Sequence, residues 1–352
     1  DEYGVPITLT AEKEGITPKA LVDRNHASIK KSFEDFGMSF DNFSQTSREV
    51  HTETAQAFFA DLHGQGLFTR KTTDQFYSPT QDRFLPDRYI EGSCPRCGTE
   101  GARGGECESC MATFSPTELV EPHSVLDNTP LELRPTTHWF RPMGDWQDRL
   151  AAYIDDHPEW KDNVKQYCRG YFESGLQDRA MTRDLGWGVP VPLPDHEGKV
   201  MFVWFEAPIG YISSTREWAA AQGDPEAWKT WWQDSRTRLV HFIGKDNIFF
   251  HAMLFPAMLM AHSEDYVVAD NVPANEFLNL EGQKLSTSRG FAVWLPEYLE
   301  KFPADILRYT LARNAPETRD MNFTWENFKD RNNNELGNNF GNLINRVISF
   351  TH

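Results

Sequence analysis

A lysine-centred loop at residues 284–290, with the sequence KLSTSRG, carries the clearest chemical signal in the chain. It sets Lys284 among hydroxyl side chains, so it can present a cation and several hydrogen-bond donors to a triphosphate. Upstream, the run LVHFIGKD at residues 239–246 reads as a buried strand that ends in a glycine turn. Together the two segments predict a nucleotide site on an α/β sheet. Taken alone, a loop of this composition is more often a solvated turn than a phosphate site.

The cysteines indicate a metal site. Cys94 and Cys97 form one Cys-x-x-Cys pair, and Cys107 and Cys110 form a second pair after nine intervening residues. Each pair can hold one face of a tetrahedral ion, so the cluster predicts a structural Zn²⁺ with no open position for catalysis. An iron–sulfur cluster or a vacant relic is the alternative. Cys168, the fifth cysteine, lies in a predicted helix and is interpreted as a buried residue rather than a nucleophile.

Composition limits the class of protein. The 352 residues allow two or three domains, and 39% hydrophobic with 25% charged residues is ordinary for a soluble protein. A net charge of -17 argues against a generally basic nucleic-acid surface, although a local patch near Lys329 and Arg331 stays open. The acidity is interpreted as salt adaptation or as simple solubility. Clustered cysteines and the lack of a long apolar run or signal peptide predict a cytoplasmic protein with no membrane partner.

Two helices are predicted near the start of the chain. Thr17 is a suitable N-cap and Pro18 a suitable first residue for a helix that ends at Gly37. Its inward face is predicted to carry Leu21, Ile29, Phe33 and Phe36. A second helix is predicted over about residues 47–63. Residues 67–135 are rich in proline and glycine and read as an irregular inserted module.

Regular α/β signals return in the second half of the chain. Buried strands are predicted at residues 199–205, 238–243 and 266–269, with a helix over 247–262 between the last two. A strand–helix–strand unit of this length predicts a right-handed parallel crossover. The segment after Trp325 predicts a long helix, since Leu336, Phe340, Leu343 and Val347 recur at helical spacing.

Several motifs, in one order and over nearly the whole chain, resemble the catalytic part of class I methionyl-tRNA synthetases. They are DEYGVP at 1–6, FGMSFDNF at 36–43, the cysteine cluster at 94–110, WFEAPIGY at 204–211, GKDN at 244–247 and KLSTS at 284–288. The resemblance implies that methionine is activated by ATP with Mg²⁺ and is then transferred to tRNA(Met). It also implies that the enzyme is more often a monomer than a homodimer.

The resemblance assigns roles to individual residues. In the signature loop, Lys284 would neutralise the leaving pyrophosphate, helped by Ser286, Thr287 and Ser288, with Thr287 also touching ATP. Asp246 would hold the ATP ribose, and Gly244 would allow close approach of the backbone. The methionine site would consist of Asp1, Trp204, Ala207, Pro208, Tyr211 and His251. His251 lies four residues after Asn247, so both side chains can face one cleft. Arg183 would support the site, and a surface ion pair is its alternative role.

The resemblance also implies an architecture. Residues 1–66 and 200–275 would form a split, Rossmann-like parallel-sheet domain that binds the nucleotide. Residues 67–199 would be an inserted connective domain that carries the zinc knuckle. Residues 276–326 would hold the signature loop, and residues 327–352 would begin a helical anticodon-binding domain.

Two departures from the family pattern affect these expectations. Thr287 occupies the place of a second lysine, so Arg289 or Mg²⁺ would have to supply the missing charge. The family's His-x-Gly-His signature does not occur in these residues, which look cut at both ends. We therefore expect the chain to be inactive by itself and the parent protein to carry the missing segment.

Three alternatives remain open at this point. The first is a class I synthetase for leucine, valine, isoleucine or cysteine, which the motif at 204–211 disfavours. The second is a non-catalytic paralogue that binds tRNA or protein through a decayed site. The third, a zinc-module scaffold protein, accounts for the cysteines and for none of the other motifs.

Overall fold

The computed structural model describes residues 1–86, 89–103, 110, 114, 116–194, 196, 198–286 and 290–351. Within these residues the α-helices are α1 (Val5–Glu14), α2 (Pro18–Asp35), α3 (Glu49–Gly64), α4 (Gln147–Asp155), α5 (Asp162–Ser174), α6 (Val203–Glu206), α7 (Gly210–Ala221), α8 (Lys229–Trp232), α9 (Phe255–Ala261), α10 (Leu295–Leu299), α11 (Ala304–Arg313), α12 (Trp325–Asp330) and α13 (Asn342–Thr351). The strands are β1 (Thr69–Ser78), β2 (Arg83–Phe84), β3 (Ile90–Ser93), β4 (Ala102–Arg103), β5 (Val120–Ser124), β6 (Glu132–Arg141), β7 (Arg179–Ala180), β8 (Thr182–Asp184), β9 (Lys199–Met201), β10 (Leu239–Val240), β11 (Ile243–Gly244), β12 (Ala269–Asn271), β13 (Ala274–Asn275), β14 (Leu278–Leu280) and β15 (Met321–Phe323). Single 3₁₀ turns lie at Pro116–Glu118, Gly144–Trp146, Ala207–Ile209 and Lys245–Asn247, and π-helical segments lie at Phe250–Leu254 and Arg331–Gly341.

The first predicted helix is confirmed, with one error on its inward face. Thr17 caps α2 through its hydroxyl, which accepts a hydrogen bond from the Ala20 amide at 3.2 Å. Leu21 and Phe36 are buried as expected. Ile29 is 47% exposed, so its predicted burial is wrong. Ile29 lies within residues 27–31 of α2, which all face solvent. The second predicted helix is α3.

The predicted parallel crossover is confirmed. Strand β10 pairs in parallel with β12, and β11 pairs in parallel with β13, with the helical segment that ends in α9 between them. The strand predicted at 266–269 begins three residues late, at Ala269. Strands β14 and β15 form a third parallel pair, and the lysine loop follows β14 in the chain. The carboxyl ends of these parallel strands therefore provide an edge where loops can form a site.

The strand predicted over 199–205 is wrong beyond its first residues. Strand β9 ends at Met201, and helix α6 begins at Val203. A short apolar run does not distinguish a buried strand from a buried helix by periodicity. Pro208 at the start of the next 3₁₀ turn is also suited to a helical path. Trp204 therefore lies on a helical turn rather than on a strand.

The prediction that residues 67–135 are irregular is also wrong. Strands β1 and β6 form an antiparallel ladder from Thr69↔Phe140 to Tyr77↔Glu132. Most of β1 is solvent-exposed, so it lacks the apolar alternation that indicates a strand. A separate three-stranded unit, with strand order β4-β3-β5, carries the cysteines.

The described residues form three apolar clusters. The main core includes Phe205, Phe255 and Trp160 and extends from α3 to β13. The cysteine-bearing unit has a small core of its own, centred on Tyr89 and Ile90. The third cluster lies below the lysine loop and joins the end of α2 to α11 and α12.

The last predicted helix is confirmed as a continuous helical segment from Trp325 to Thr351. Its apolar side is open to solvent, since Phe340 is 57% and Val347 is 53% exposed. Among the described residues, the helices are all too short or too polar to span a lipid bilayer.

Candidate active site

One cavity of about 480 Å³ brings together the six residues expected to bind methionine. All six lie on its wall, together with Gly244 and Asn247. Residues that were not predicted also line it, namely Ser44, Gln45, Thr46, Gly210, Ser213, Ser214, Phe242 and Ile243. The motif at 36–43 leads directly into Ser44, Gln45 and Thr46. Extending that motif by three residues would have found these three, but not the others.

The apolar side of the cavity is formed by two helical turns that face each other. Trp204 of α6 stacks on Phe250, with ring centroids 4.0 Å apart and an interplanar angle of 4°. Phe250 begins the π-helical turn that also presents His251. Ala207 and Pro208 follow in the 3₁₀ turn after α6. The aromatic rings form a polarisable surface of the kind that suits a thioether.

Tyr211 and His251 form a directed hydrogen bond on the cavity wall. His251 Nδ1 lies 3.0 Å from the Asn247 carbonyl oxygen, which can only accept, so Nδ1 carries the proton. In the neutral ring Nε2 is then an acceptor, and the Tyr211 hydroxyl donates to it at 2.9 Å. Burial lowers the pKa of His251, which keeps the ring neutral. The pair therefore presents an uncharged, fixed surface to a ligand.

Asp1 is held at the cavity by its neighbour Glu2. The Glu2 amide donates to the Thr46 hydroxyl at 3.0 Å, and its carboxylate accepts from the Ser47 hydroxyl at 2.5 Å and from Gln45 Nε2 at 2.8 Å. These bonds fix the backbone on which the Asp1 carboxylate is carried. A carboxylate at the wall of the cavity is suited to an ammonium group.

Gly244 and Asp246 lie at the carboxyl end of β11. A Cβ atom at Gly244 would come within 2.7 Å of Asp246 Oδ1, so a larger residue there would displace that carboxylate. Asp246 is exposed and is not on the cavity wall itself. The strand end therefore offers close backbone approach beside an accessible carboxylate, as the sequence predicts.

The lysine loop is anchored at its base. The Ser286 amide donates to the Phe291 carbonyl, and the reverse bond is also made, both at 2.9 Å. Lys284 is exposed, with Nζ 5.9 Å from the Phe277 ring, and Lys245 Nζ lies 4.4 Å from the same ring. The loop base is thus next to the end of β11. Thr287, Ser288 and Arg289 lie outside the described residues.

Arg183 is not among the described residues that line the cavity. Its guanidinium lies 4.2 Å from the Phe202 ring centroid, and Nη1 donates to the Ala180 and Thr182 carbonyls, each at 2.8 Å. Phe202 precedes Trp204 by two residues, so this contact gives Arg183 an indirect connection to the cavity.

Three cysteines converge as the spacing predicts. The Sγ atoms of Cys94, Cys97 and Cys110 all lie within 4.8 Å of one another, and Cys94 and Cys110 are 3.8 Å apart. Tetrahedral Zn²⁺ with Zn–S bonds of about 2.3 Å requires sulfur atoms about 3.8 Å apart, so the described donors fit a metal ion. Cys107 lies outside the described residues. Cys168 is buried, and burial raises its pKa to about 12, which agrees with the predicted inert role.

Behind the cavity wall lies a buried pair that the sequence reasoning missed. His51 of α3 and Glu206 of α6 are both fully buried, with Nε2 and Oε2 2.7 Å apart. The two residues are separated by 155 positions, and a single histidine in a helix gives no signal of such a partner.

Comparison with known proteins places the chain in a family. A family model described as "tRNA synthetases class I (M)" matches residues 1–348. Proteins named methionine–tRNA ligase from Salinibacter ruber and Christiangramia forsetii are 54% and 52% identical over 99% and 100% of this chain. The chain spans about half the length of these relatives, 51% of each.

A solved structure agrees with the sequence comparison. Mycobacterium tuberculosis methionyl-tRNA synthetase in complex with methionyl-adenylate matches with a TM-score of 0.75 and 26% identity. The match covers 99% of this chain and 62% of that one. The chain therefore belongs to the class I (M) family of tRNA synthetases.

Proposed function

We propose that this chain is the catalytic region of a methionine–tRNA ligase, which activates methionine with ATP and transfers it to tRNA(Met). The observation that carries the proposal is the single cavity in which an aromatic, uncharged wall, the Asp1 carboxylate and the end of β11 meet. Its volume lies within the range of about 300–1,000 Å³ that is usual for small-molecule sites. The names of the relatives and the bound methionyl-adenylate of the solved neighbour support the same reaction.

The amino acid would be recognised at its two ends. Asp1 would pair with the methionine ammonium. The thioether would lie against Trp204, Tyr211 and His251, with Ala207 and Pro208 closing the pocket. A larger charged side chain would meet no compensating charge on this wall, because the His251 ring is neutral. Arg183 is proposed as a supporting residue through its contact with Phe202.

ATP would bind across the end of β11 and the lysine loop. Gly244 would admit the nucleotide, and Asp246 would bind its ribose. A methionine carboxylate oxygen attacks the α-phosphorus; the bond from that phosphorus to the bridging oxygen breaks, and pyrophosphate leaves with the electron pair. Lys284 would neutralise the leaving group, with hydroxyl donors from Ser286, Thr287 and Ser288. Mg²⁺ would enter with ATP and add positive charge at the phosphates.

The remaining parts of the chain are given supporting roles. Cys94, Cys97, Cys107 and Cys110 would hold one structural Zn²⁺. The parallel pairs β10–β12 and β11–β13 support a split Rossmann-like domain made of residues 1–66 and 200–275. Residues 67–199 would be the insertion, 276–326 the loop-bearing region and 327–352 the start of the helical domain. We propose a cytoplasmic monomer.

The test is methionine-dependent ATP–pyrophosphate exchange by the full-length protein, with leucine, isoleucine, valine and cysteine as controls. Exchange with methionine alone supports the proposal and shows that Thr287 is tolerated in the loop. Exchange with another amino acid would move the protein to a related synthetase. Folded, zinc-loaded protein that catalyses no exchange would instead favour a non-catalytic paralogue that binds tRNA or protein.

Changing Tyr211 to Phe is expected to raise the methionine KM about 5- to 30-fold, since loss of a partner to a buried acceptor costs about 1–2 kcal/mol. The substitution removes the hydroxyl that donates to His251 Nε2 and leaves the ring packing intact. Steady-state exchange kinetics measure the effect. Tyr298→Phe, which removes a hydroxyl that donates to the Pro303 carbonyl, serves as the control and should leave the methionine KM unchanged. An unchanged KM in Tyr211→Phe would contradict the assigned contact.

A further inference from the structure

The buried pair of His51 and Glu206 is not used by the reaction described above. Both side chains are fully buried, and the pair connects α3 to the last residue of α6. Ionisable side chains are seldom fully buried unless their partners satisfy them. The proton arrangement of the pair can be derived from its hydrogen bonds.

The Ser213 hydroxyl fixes the tautomer of His51. It donates to the Gly210 carbonyl at 3.1 Å, so its oxygen accepts from His51 Nδ1 at 3.0 Å. His51 therefore carries a proton on Nδ1, and in the neutral ring Nε2 is an acceptor. The short contact of Nε2 with Glu206 Oε2 then needs a proton of its own, either on the carboxyl group or on the ring.

Burial favours the proton on Glu206. An ion pair in a dry interior is costly unless further hydrogen bonds satisfy the remaining atoms. Among the described residues, Glu206 Oε1 has no hydrogen-bond partner, so an ionised carboxylate would keep one bare oxygen. Burial raises the pKa of Glu206 well above its usual range and lowers the pKa of His51, which agrees with two neutral groups.

The other ionisable side chains that face the pair do not outweigh the effect of burial. Tyr3 is neutral, since burial raises its pKa to about 12. The Glu2 carboxylate raises the pKa of His51, but this effect is smaller than the lowering by burial. Glu2 is already held by Gln45 and Ser47.

The pair lies directly behind the methionine pocket. Glu206 precedes Ala207 and Pro208 in the chain, and Ser213 belongs to the first turn of α7. A Cβ atom placed at Gly210 would lie 3.9 Å from His51 Cε1 and Nδ1, so the wall is in contact range of the imidazole. Any change in the length or direction of the His51–Glu206 bond would therefore shift the turn that shapes the pocket.

We propose that Glu206 is a carboxylic acid which donates its proton to His51 Nε2, and that this neutral pair positions the 207–211 wall of the methionine pocket. Both members are positioning residues, because neither lines the cavity. The part of the inference that concerns methionine rests on the proposed function. The protonation state of Glu206 does not.

Infrared spectroscopy tests the protonation directly. The difference spectrum of wild type minus Glu206→Gln, recorded on the full-length protein at neutral pH, should contain the C=O stretch of one protonated carboxyl group. Other carboxyl groups are ionised at that pH and cancel. A difference spectrum with only carboxylate bands would overturn the neutral pair. This result is independent of whether the protein activates any amino acid.

Exchange kinetics test the positioning role. Glu206→Ala leaves a buried acceptor unpaired and should raise the methionine KM about tenfold or more, with the ATP KM nearly unchanged. Glu206→Gln can still donate from its amide to Nε2, so its methionine KM should return to within about threefold of wild type. Equal damage in the two variants, or no damage in Glu206→Ala, would overturn the role. Tyr153→Phe removes a buried hydrogen bond to Ala269, and neither residue lines the cavity, so this variant should leave the methionine KM unchanged.

The pH dependence of unfolding can be measured on the wild type and on Glu206→Gln, so it does not depend on the activity or the folding of the alanine variant. In the unfolded chain the pKa values are the ordinary ones, 6.5 for His51 and 4.5 for Glu206. Between these pH values the unfolded pair holds one titratable proton, on His51, and the folded pair also holds one, on Glu206. Above pH 6.5 the unfolded pair holds none, and the folded pair still holds one. The folding equilibrium constant should then fall up to tenfold per pH unit through this pair, until the folded Glu206 titrates. Glu206→Gln should remove that fall, and a wild-type slope in this variant would contradict the shared proton.

Discussion

Replacing Lys284 with alanine is expected to lower the rate of ATP–pyrophosphate exchange by about 100- to 1,000-fold, the cost of losing one group that stabilises charge in a transition state. Lys284 is exposed, and among the described residues none offers its ammonium a carboxylate. Its charge is therefore available to a phosphate. The rate of ATP–pyrophosphate exchange, measured with saturating methionine and ATP, tests this prediction.

Two nearby cations serve as comparisons for Lys284. Lys245 lies over the same Phe277 ring, but its ammonium is already bonded to Glu276 at 2.6 Å and to Asp320 at 2.8 Å. Lys245→Ala should therefore lose much less activity. Arg289→Ala should also lose less than Lys284→Ala, although Arg289 follows the site of the family's second lysine. Equal losses at Lys284 and Arg289 would contradict Lys284 as the principal cation.

Removing the metal is expected to unfold the cysteine-bearing unit and to leave the main core folded. The apolar cluster of this unit has seven buried members among the described residues, and two of them, Phe76 and Leu85, precede the unit. A structural zinc site, in contrast, contributes on the order of 10 kcal/mol to folding. Cys94→Ala should abolish binding of one zinc per chain. Hydrogen exchange should then rise across residues 89–124 and stay low in α3 and α9. Elemental analysis and exchange mass spectrometry measure both effects.

Cys168→Ala is the matched control for the metal prediction. It removes a buried thiol from the main core and should leave the zinc content unchanged. Zinc retained at one ion per chain in Cys94→Ala would contradict the assigned ligand. Visible absorption from bound iron in the wild-type protein would instead favour the iron–sulfur alternative.

The fold could be predicted where local chemistry decides the structure. Thr17 and Pro18 mark the start of α2, because a cap and a fixed φ act within one turn. The crossover through β10 and β12 follows from alternating apolar segments. Strand β1 could not be predicted, because its pairing with β6 depends on residues about 60 positions away and most of its side chains are exposed. The break between β9 and α6 was missed because an apolar run fits either structure.

The cysteine cluster, the cavity residues and the buried His51–Glu206 pair differ in how far the sequence could predict them. Cys94, Cys97 and Cys110 converge as their spacing alone indicates. The cavity residues from Asp1 to His251 were named through the family resemblance, since no local rule brings them together. His51 and Glu206 were missed by both routes, as their partnership exists only in three dimensions. The roles of Lys284, Thr287 and Arg183 remain predictions.

The π-helical turn at Phe250–Leu254 makes the pocket sensitive to chain length. A π turn holds one residue more than the α-helical turn it replaces, so it is equivalent to an insertion in a regular helix. Deleting one residue there would rewind the helix and rotate what precedes it against α9 by about 100°. His251 and Phe250 would move away from Tyr211 and Trp204, although these four side chains would all still be present. A comparison of relatives that scores only identity would overlook such a change, whereas a one-residue gap at this turn would mark a pocket built for another substrate.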